Sequence, residues 1–451
     1  MVDLFDAPSS LAQHCETIAV SGIVSAVRGL TLEVSGLIAP VGTLVSIGCD
    51  RSEGATACVR GEVVGLQSAH AIVMLLSDAT GVRVGQRVRA EAAGMVQCVG
   101  ISMLGRVLNA MGDPIDDGSP LTDLVPVPLK PAPLHAMRRA RISQPIRTGV
   151  RAIDLMAPMG RGQRLGIFAG PGVGKSSLLG QIATQSDADA NVIALIGERG
   201  REVREFVEDS LGDGLQRSVV VVATGDETPT LRVRAALLAC SAAEYLRDCG
   251  MNVMLMMDSI TRLAHAQRQI GLAAGEPPTM RGYTPSVFSL MASIMERAGA
   301  VEKSEATQSG SITGLYTILM EGDDTTEPVS DAARGILDGH IMLSRKLAQR
   351  AHYPAIDVLD SVSRLTNQIA EKSHVIVRNE IVKLIAKYRE IEELVQIGAY
   401  AKGSDPIADR AIALMPSIDS VLMQSMEERE SFEHMLGRAA QAVTSDLGGS
   451  E

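Results

Sequence analysis

A glycine-rich turn, AGPGVGKSS, runs from Ala169 to Ser177 of a 451-residue chain. Its residue types are those that hold phosphate. Gly170, Gly172 and Gly174 free consecutive backbone N–H groups to converge on phosphate oxygens, Lys175 adds a point charge, and Ser176 can ligate Mg2+. The strict pattern asks for Gly, four residues, Gly, Lys, then Ser or Thr, and here Ala169 stands first. The expected cradle is Gly170, Pro171, Gly172, Val173, Gly174, Lys175, Ser176 and Ser177, with an alanine methyl at its entry. The apolar run RLGIF before it and the helical SLLGQIA after it supply the strand–turn–helix context that such a loop needs.

Two more apolar runs end in carboxylates. NVIALIG leads into Glu198 and Arg199, and MNVMLMMDS carries Asp258. Hydrolysis of a phosphoanhydride needs a water held in line, which a carboxylate at the strand end nearest the loop can orient and polarise. Glu198 is the candidate, with Arg199 as a counter-charge to the terminal phosphate. Asp258 is placed to hold the water shell of Mg2+. The plainer readings are a surface salt bridge within ERGREVREF and a helix cap ahead of DSITRLAHAQ.

Positioning these groups requires several strands that end together. Between roughly 145 and 350, apolar runs of strand length alternate with helical patterns, as buried parallel strands do, so the expected class is α/β with a central parallel sheet. From about 18 to 92 the short runs GIVSAVRG, LTLEVSG, GTLVSIG, GEVVGLQ and AIVMLL, separated by glycine turns, suggest a small closed β-barrel. The Pro-rich stretch LVPVPLKPAPLHAMRRARI reads as an extended linker over a surface. Beyond about Leu365 the chain becomes helical and charged, as in IVKLIAKYREIEELVQIG. The expected division is an arm at 1–17, a barrel at 18–92, a phosphate-loop domain at 93–365 and a helical domain at 366–451. In the arm, Leu4, Phe5 and Leu11 are apolar without belonging to a core element, which suits a docking segment or a frayed terminus.

Composition narrows the function classes. A net charge of -11 and an aromatic content of 2% without tryptophan leave little from which to build a nucleic-acid surface. The six cysteines show no metal-binding spacing and read as reduced, mostly buried thiols. Asp3 and Asp6 stand where a signal peptide would be basic, and no apolar run approaches the roughly 18 to 20 residues needed to span a bilayer. Any membrane association is expected to come through partners.

The order and spacing of AGPGVGKS, GERGRE, MLMMDSITRL, GSITGLYTILMEGDDTTEP and YPAIDVLDSVSRL resemble the catalytic subunits of the rotary ATPase superfamily. Within it, EELVQIGAYAKGSDPIAD and the alanine form of the loop are most similar to the type III export ATPases of the bacterial flagellum, with the virulence-secretion ATPases as the nearest alternative. The resemblance covers nearly the whole chain, GLIAPVG and GRVLNAMGDPID matching the barrel and its exit. It implies ATP and Mg2+ as ligands, Lys175 and Ser176 on phosphate and metal, Glu198 on the attacking water, and Arg199 at the γ phosphate. It also implies Asp258 at the metal through water, with Arg262 beside it, and Tyr353 against the adenine. Where rotary catalytic subunits place a second aromatic, this chain has Met426, a thioether that grips a ring less specifically. GEPPTMRGYTPSVFSL resembles the segment that faces the central pore.

Arg364, in DSVSRL, matches an arginine that reaches the neighbouring subunit's γ phosphate. Because one chain carries both Glu198 and Arg364, the resemblance implies a homo-oligomeric ring, a hexamer by analogy with the family. Its implied partners are a stator-like regulator, a central stalk, the export membrane gate and chaperone-bound export substrates, with no nucleic acid. The implied location is the cytoplasm, at the inner membrane through the export apparatus. A non-catalytic rotary subunit is disfavoured by Glu198, and a ring-shaped RNA translocase by the acidic charge and the scarcity of aromatics.

Overall fold

Strands β1 (Ser21–Arg28), β2 (Thr31–Ser35), β3 (Leu44–Ile47), β4 (Val59–Gln67), β5 (His70–Leu75) and β6 (Arg87–Ala90) close a barrel in the order β1-β2-β5-β4-β3-β6. Alternate residues turn inward. Val24, Leu32, Val34, Val45, Ile47, Val63, Val73, Leu75 and Val88 fill the lumen. The protein is seen here in a computed structural model that describes residues 20–48, 58–67, 70–91, 95–302, 309–320, 322 and 326–444. The N-terminal arm with Leu4, Phe5 and Leu11 lies outside the described residues. With residues 227–230 and 269–277 the barrel forms one compact unit, and the remainder of the chain forms a second.

The second unit is built on one large sheet. Its strands run Ile356–Ser363, Gly339–Leu343, Arg164–Ala169, Gly310–Leu319, Asn252–Asp258, Ala190–Ile196, Ser218–Ala223 and Arg106–Leu108, with Gly299–Val301 paired to the side of Gly310–Leu319. The expected α/β class and parallel core hold, since every neighbouring pair from Gly339–Leu343 to Arg106–Leu108 is parallel. Two features go beyond the sequence reading. Ile356–Ser363 joins antiparallel at one edge, and the three-residue strand Arg106–Leu108 adds the other.

The Pro-rich stretch is more structured than a linker. Val125–Pro128 pairs with Val96–Val99, Leu129 is buried, and Arg139 donates to the carbonyls of Ala298 and Glu296 at 3.0 and 2.6 Å. In VPVP the prolines remove donors from one strand edge only, so Val125 and Val127 can still pair along the other. The cysteine expectation also needs correction. Cys58 is disulfide-bonded, Cys98 and Cys249 are exposed, and of the free thiols described only Cys240 is buried.

The helices Lys372–Gln396, Pro406–Leu422 and Phe432–Thr444 share one apolar cluster with the sheet, through Ile381, Leu384, Leu414, Ile418, Met435 and Ala439. Asp405 caps the middle helix, accepting from the Ile407 and Ala408 N–H groups ahead of Pro406 in the first turn. The clamp on this region is Arg151, a buried guanidinium at the start of the short helix Arg151–Met156. Its Nε donates to the Val421 carbonyl at 2.8 Å, one terminal nitrogen pairs with Glu428 at 2.5 Å and Glu430 at 3.0 Å, and the other reaches the Met423 carbonyl. Its own N–H is taken by the Gln424 side chain. The clamp therefore fixes residues 421–430, and Met426 with them.

Removing a buried charge partner is expensive, so Arg151→Ala should cost about 3–5 kcal/mol and lower Tm accordingly. The Arg151 hydrogen bond holds the Glu428 carboxyl below its ordinary value. A depressed carboxylate stabilises the fold above its unfolded pKa and loses that contribution as pH falls through the folded value. Denaturant melts from pH 7 down to 3 should thus show the parent losing more stability with acid than Arg151→Ala.

Candidate active site

The strand Arg164–Ala169 is paired on both sides and delivers the glycine turn at the carboxyl ends of the sheet. Ala169 is its last residue, fully buried, with its carbonyl accepting from Met320 N–H at 3.0 Å. The methyl at the loop's entry thus belongs to the core. Gly172 and Gly174 have φ of 75° and 88°, left-handed values that glycine adopts without a Cβ penalty. Gly174 is the N-cap of the helix Lys175–Gln185 and offers no side-chain cap, which leaves first-turn N–H groups available to an anion. Val173 anchors the turn in the core while Pro171, Gly172, Ser176 and Ser177 are exposed.

Lys175 reaches across the strand ends. Its ammonium contacts Asp258 and lies 3.3 Å from Glu198 Oε1. Asp258 also accepts from Thr317 Oγ1 at 2.8 Å, so its carboxylate faces the loop and does not cap the helix that follows. Glu198 is 8% exposed, and its second oxygen is 3.1 Å from Arg262, whose guanidinium also donates to the Gly197 carbonyl. Burial pushes the Glu198 carboxyl above its ordinary value, with Lys175 pulling against and Asp258 adding to the rise. Glu202 is held low, first by its hydrogen bond with Glu198 and then by Arg199.

The surface bridges read from ERGREVREF also exist, as Arg199–Glu202, Arg201–Glu205 and Arg204–Glu208, but Glu198 is not among them. Arg199 stays on the rim, its exposed guanidinium 2.5 Å from Glu202 rather than beside Lys175.

Tyr353 stands beside the loop, and the segment carrying Met426 is bonded to the loop's helix. The Tyr353 ring stands 3.6 Å from where a Cβ on Gly174 would lie, and its carbonyl accepts from Gln424 N–H at 2.9 Å. Gln181 and Gln185 of the loop's helix donate to the Ser425 and Met426 carbonyls. Both expected base-contacting side chains are half exposed, at 45% and 44%. Arg364 is the outlier. Its N–H donates to the Asp338 carbonyl, and Asp338 is bonded to Arg164, the first residue of the strand whose last residue enters the loop. Five strand steps, about 17 Å, separate those two levels. Arg364 is exposed at the far end of the sheet from its own Lys175.

No group of three or more His, Cys, Asp or Glu side chains suited to a metal is found among the described residues. The oxygens beside the loop fit Mg2+ brought with a phosphate ligand, since Mg2+ is ordinarily held by one or two protein oxygens, phosphate and water. Asp258 and the exposed Ser176 hydroxyl supply such oxygens. Sequence reasoning missed Thr317, Glu202 and the two glutamines. Thr317 left a signal as a hydroxyl inside the apolar GLYTILM, and Glu202 as the acid one helical turn past Glu198.

Comparison with known proteins sets this geometry in context. Residues 149–363 match the ATP synthase alpha/beta family nucleotide-binding domain, and residues 370–439 match the T3SS EscN ATPase C-terminal domain. The chain is 45% identical over 431 residues to the flagellum-specific ATP synthase of Bacillus subtilis, covering 95% of this chain and 96% of that one. To the type 3 secretion system ATPase of Xanthomonas euvesicatoria it is 44% identical over 432 residues, with 95% and 96% covered. Among solved structures, the assembled ATPase EscN of enteropathogenic E. coli superposes with a TM-score of 0.86 at 38% identity, over 94% of this chain and all of that one. EscN in complex with its central stalk EscO gives 0.83 at the same identity and coverage. A phosphate loop with two carboxylates and a lysine at the strand ends, on a chain alike over nearly its full length, leads to one conclusion: the protein belongs to the family of flagellum-specific ATP synthases and type 3 secretion system ATPases, and it is an ATPase.

Proposed function

We propose that the chain is one subunit of a homo-oligomeric ring, hexameric as the resemblance implies, that hydrolyses ATP to energise or prime protein export through a flagellar type III apparatus. The observation that carries the ring is the position of Arg364: exposed just past the end of an edge strand, about 17 Å of strand away from its own loop. A side chain so placed cannot serve its own Lys175 but can serve a neighbour's. Closed symmetry would then make every interface a site.

In this reading the N–H groups of Gly172 to Lys175 cradle the phosphates, and Lys175 exchanges its carboxylate partners for phosphate oxygens. Glu198, held by Arg262, orients the water and takes its proton. Arg199 leaves Glu202 for the γ phosphate. Mg2+, held by Ser176 and through water by Asp258, would supply charge neutralisation of the phosphates. Tyr353 and Met426 flank the base. Arg364 of the adjoining subunit stabilises the charge that develops on the transferred phosphoryl group.

The partners we assign are a central stalk, as EscO is for EscN, a stator-like regulator, the export gate and chaperone-bound cargo. The assigned location is the cytoplasm, against the inner membrane through these partners. No described helix is long and apolar enough to cross a membrane. Virulence secretion is the second reading, favoured by the nearly equal likeness to secretion-system relatives.

Three outcomes test the proposal. Glu198→Gln should bind ATP with near-parent affinity while turnover falls by about a hundredfold or more. The parent kcat/KM should decline with acid through a pKa above the ordinary glutamate value, because the base works only when deprotonated and burial raises its pKa. Hydrolysis by Glu198→Gln at the parent rate would remove Glu198 from the mechanism. Specific activity should also climb with protein concentration in step with assembly followed by light scattering. Constant activity well below the assembly concentration would contradict a shared site.

A further inference from the structure

The segment GEPPTMRGYTPSVFSL contains a turn whose tip and base have opposite character. Met280 is 72% exposed, and Arg281 is exposed with φ at 50°, a left-handed conformation uncommon for a residue with a side chain. The turn is cross-tied at its base. Thr279 donates to the Tyr283 carbonyl through its N–H at 2.7 Å and its hydroxyl at 2.6 Å, and Gly282 N–H donates to the Thr279 carbonyl at 3.1 Å. Tip and base therefore move together.

Tyr283 is 2% exposed. Its hydroxyl donates to Glu327 Oε1 at 3.0 Å and lies 3.1 Å from His265 Nε2. With its proton committed to the carboxylate, the oxygen is left to accept from Nε2–H, which fixes the imidazole tautomer. The His265 ring stacks on the tyrosine at 6.0 Å between centroids, and Phe288 meets it edge-on at 6.1 Å.

The histidine leads back to the active site. It lies on the helix Ile260–Ala273, which begins two residues after Asp258. Thr261, four residues before His265 and so on the same face, accepts Leu319 N–H at 2.8 Å. Leu319 ends the strand that carries Thr317, and Thr317 donates to Asp258 at 2.8 Å. A chain of hydrogen bonds and two rigid elements thus runs from the Met280–Arg281 turn through Tyr283 and His265 to the carboxylate that holds Lys175.

We propose that Tyr283 is a positioning residue for ATP hydrolysis, coupling the exposed Met280–Arg281 turn to Asp258, so that a displacement of the turn changes the Lys175–Asp258 geometry. The inference rests on the ATPase reading of the site. A tyrosine that merely fills the core would do so with its ring alone; the coupling needs the hydroxyl. Close packing leaves little slack along this path, since well-packed side chains transmit displacement.

The test is a double-mutant cycle with two readouts. Arg281→Val places a β-branched residue at the left-handed position and disturbs the turn without touching the site. Tyr283→Phe keeps the ring and deletes the hydroxyl. In the parent background Arg281→Val should lower kcat by about threefold to tenfold, with KM for ATP within about twofold, and speed hydrogen exchange of the 259–266 peptide. In the Tyr283→Phe background the same change should alter kcat by less than about 1.5-fold and leave exchange as it is. Equal effects in both backgrounds, or no effect in the parent, would overturn the proposal. If Tyr283→Phe folds poorly, His265→Phe repeats the cycle, as it keeps a stacked ring and removes the nitrogen. Exchange is read without nucleotide, so it decides the coupling even if the assignment of hydrolysis to this site fails.

Discussion

The ammonium of Lys175, set between Asp258 and Glu198, is the interaction on which the rest of this architecture depends. A buried carboxylate without a counter-charge is costly, and here two meet at one place. They come from different strands. In the sheet order, Gly310–Leu319 lies between the loop's strand and Asn252–Asp258, with Ala190–Ile196 one strand further. At roughly 4.8 Å per strand the two carboxylate positions lie about 10 to 14 Å across the sheet from the loop's strand, a distance that the glycine turn, the lysine side chain and the carboxylate side chains cover together. The intervening strand takes part as well, because Thr317 holds the Asp258 oxygen that Lys175 contacts. Register completes the arrangement: Leu195 pairs with Asp258, so the chain leaving Ile196 turns Glu198 over the same end.

The opposite end of the sheet is devoted to something else. There Arg164, Asp338 and Glu296 form a charged knot, and Arg364 projects from the edge strand beside it. The antiparallel direction of Ile356–Ser363 matters to this division. It allows one strand to begin close to Tyr353, beside the loop, and to finish next to Arg364 at the other end. A single edge strand therefore links Tyr353, beside the chain's own glycine turn, with an arginine exposed at the other end of the sheet.

Much of the site could be read from local pattern because its parts are local. Ala169 to Ser177 is contiguous, and each carboxylate closes an apolar run whose length announces a buried strand. The barrel and the parallel sheet were legible for the same reason, through alternation in one and unbroken apolar runs in the other. What escaped depends on pairing between distant positions. Nothing near Arg151 indicates that its guanidinium will be gripped by residues some 270 positions later. The strand Arg106–Leu108 is too short for a period to show, and Val125–Pro128 was hidden because proline normally argues against pairing. The partner of Arg199 is a subtler case: the acid one turn away was visible, yet only the buried Glu198 beside it makes that pair part of the site.

The central claim is that each site is finished by a second copy of the chain, and subunit mixing tests it most directly. Lys175→Ala lacks a working loop but offers Arg364; Arg364→Ala has the loop and lacks the finger. Each alone should fall by about a thousandfold or more. Rings assembled from an exchanged mixture of the two should regain measurable turnover, because some interfaces then join an intact loop to an intact arginine. Mixed rings, verified as mixed by mass, that stay as inactive as the separate variants would contradict the account.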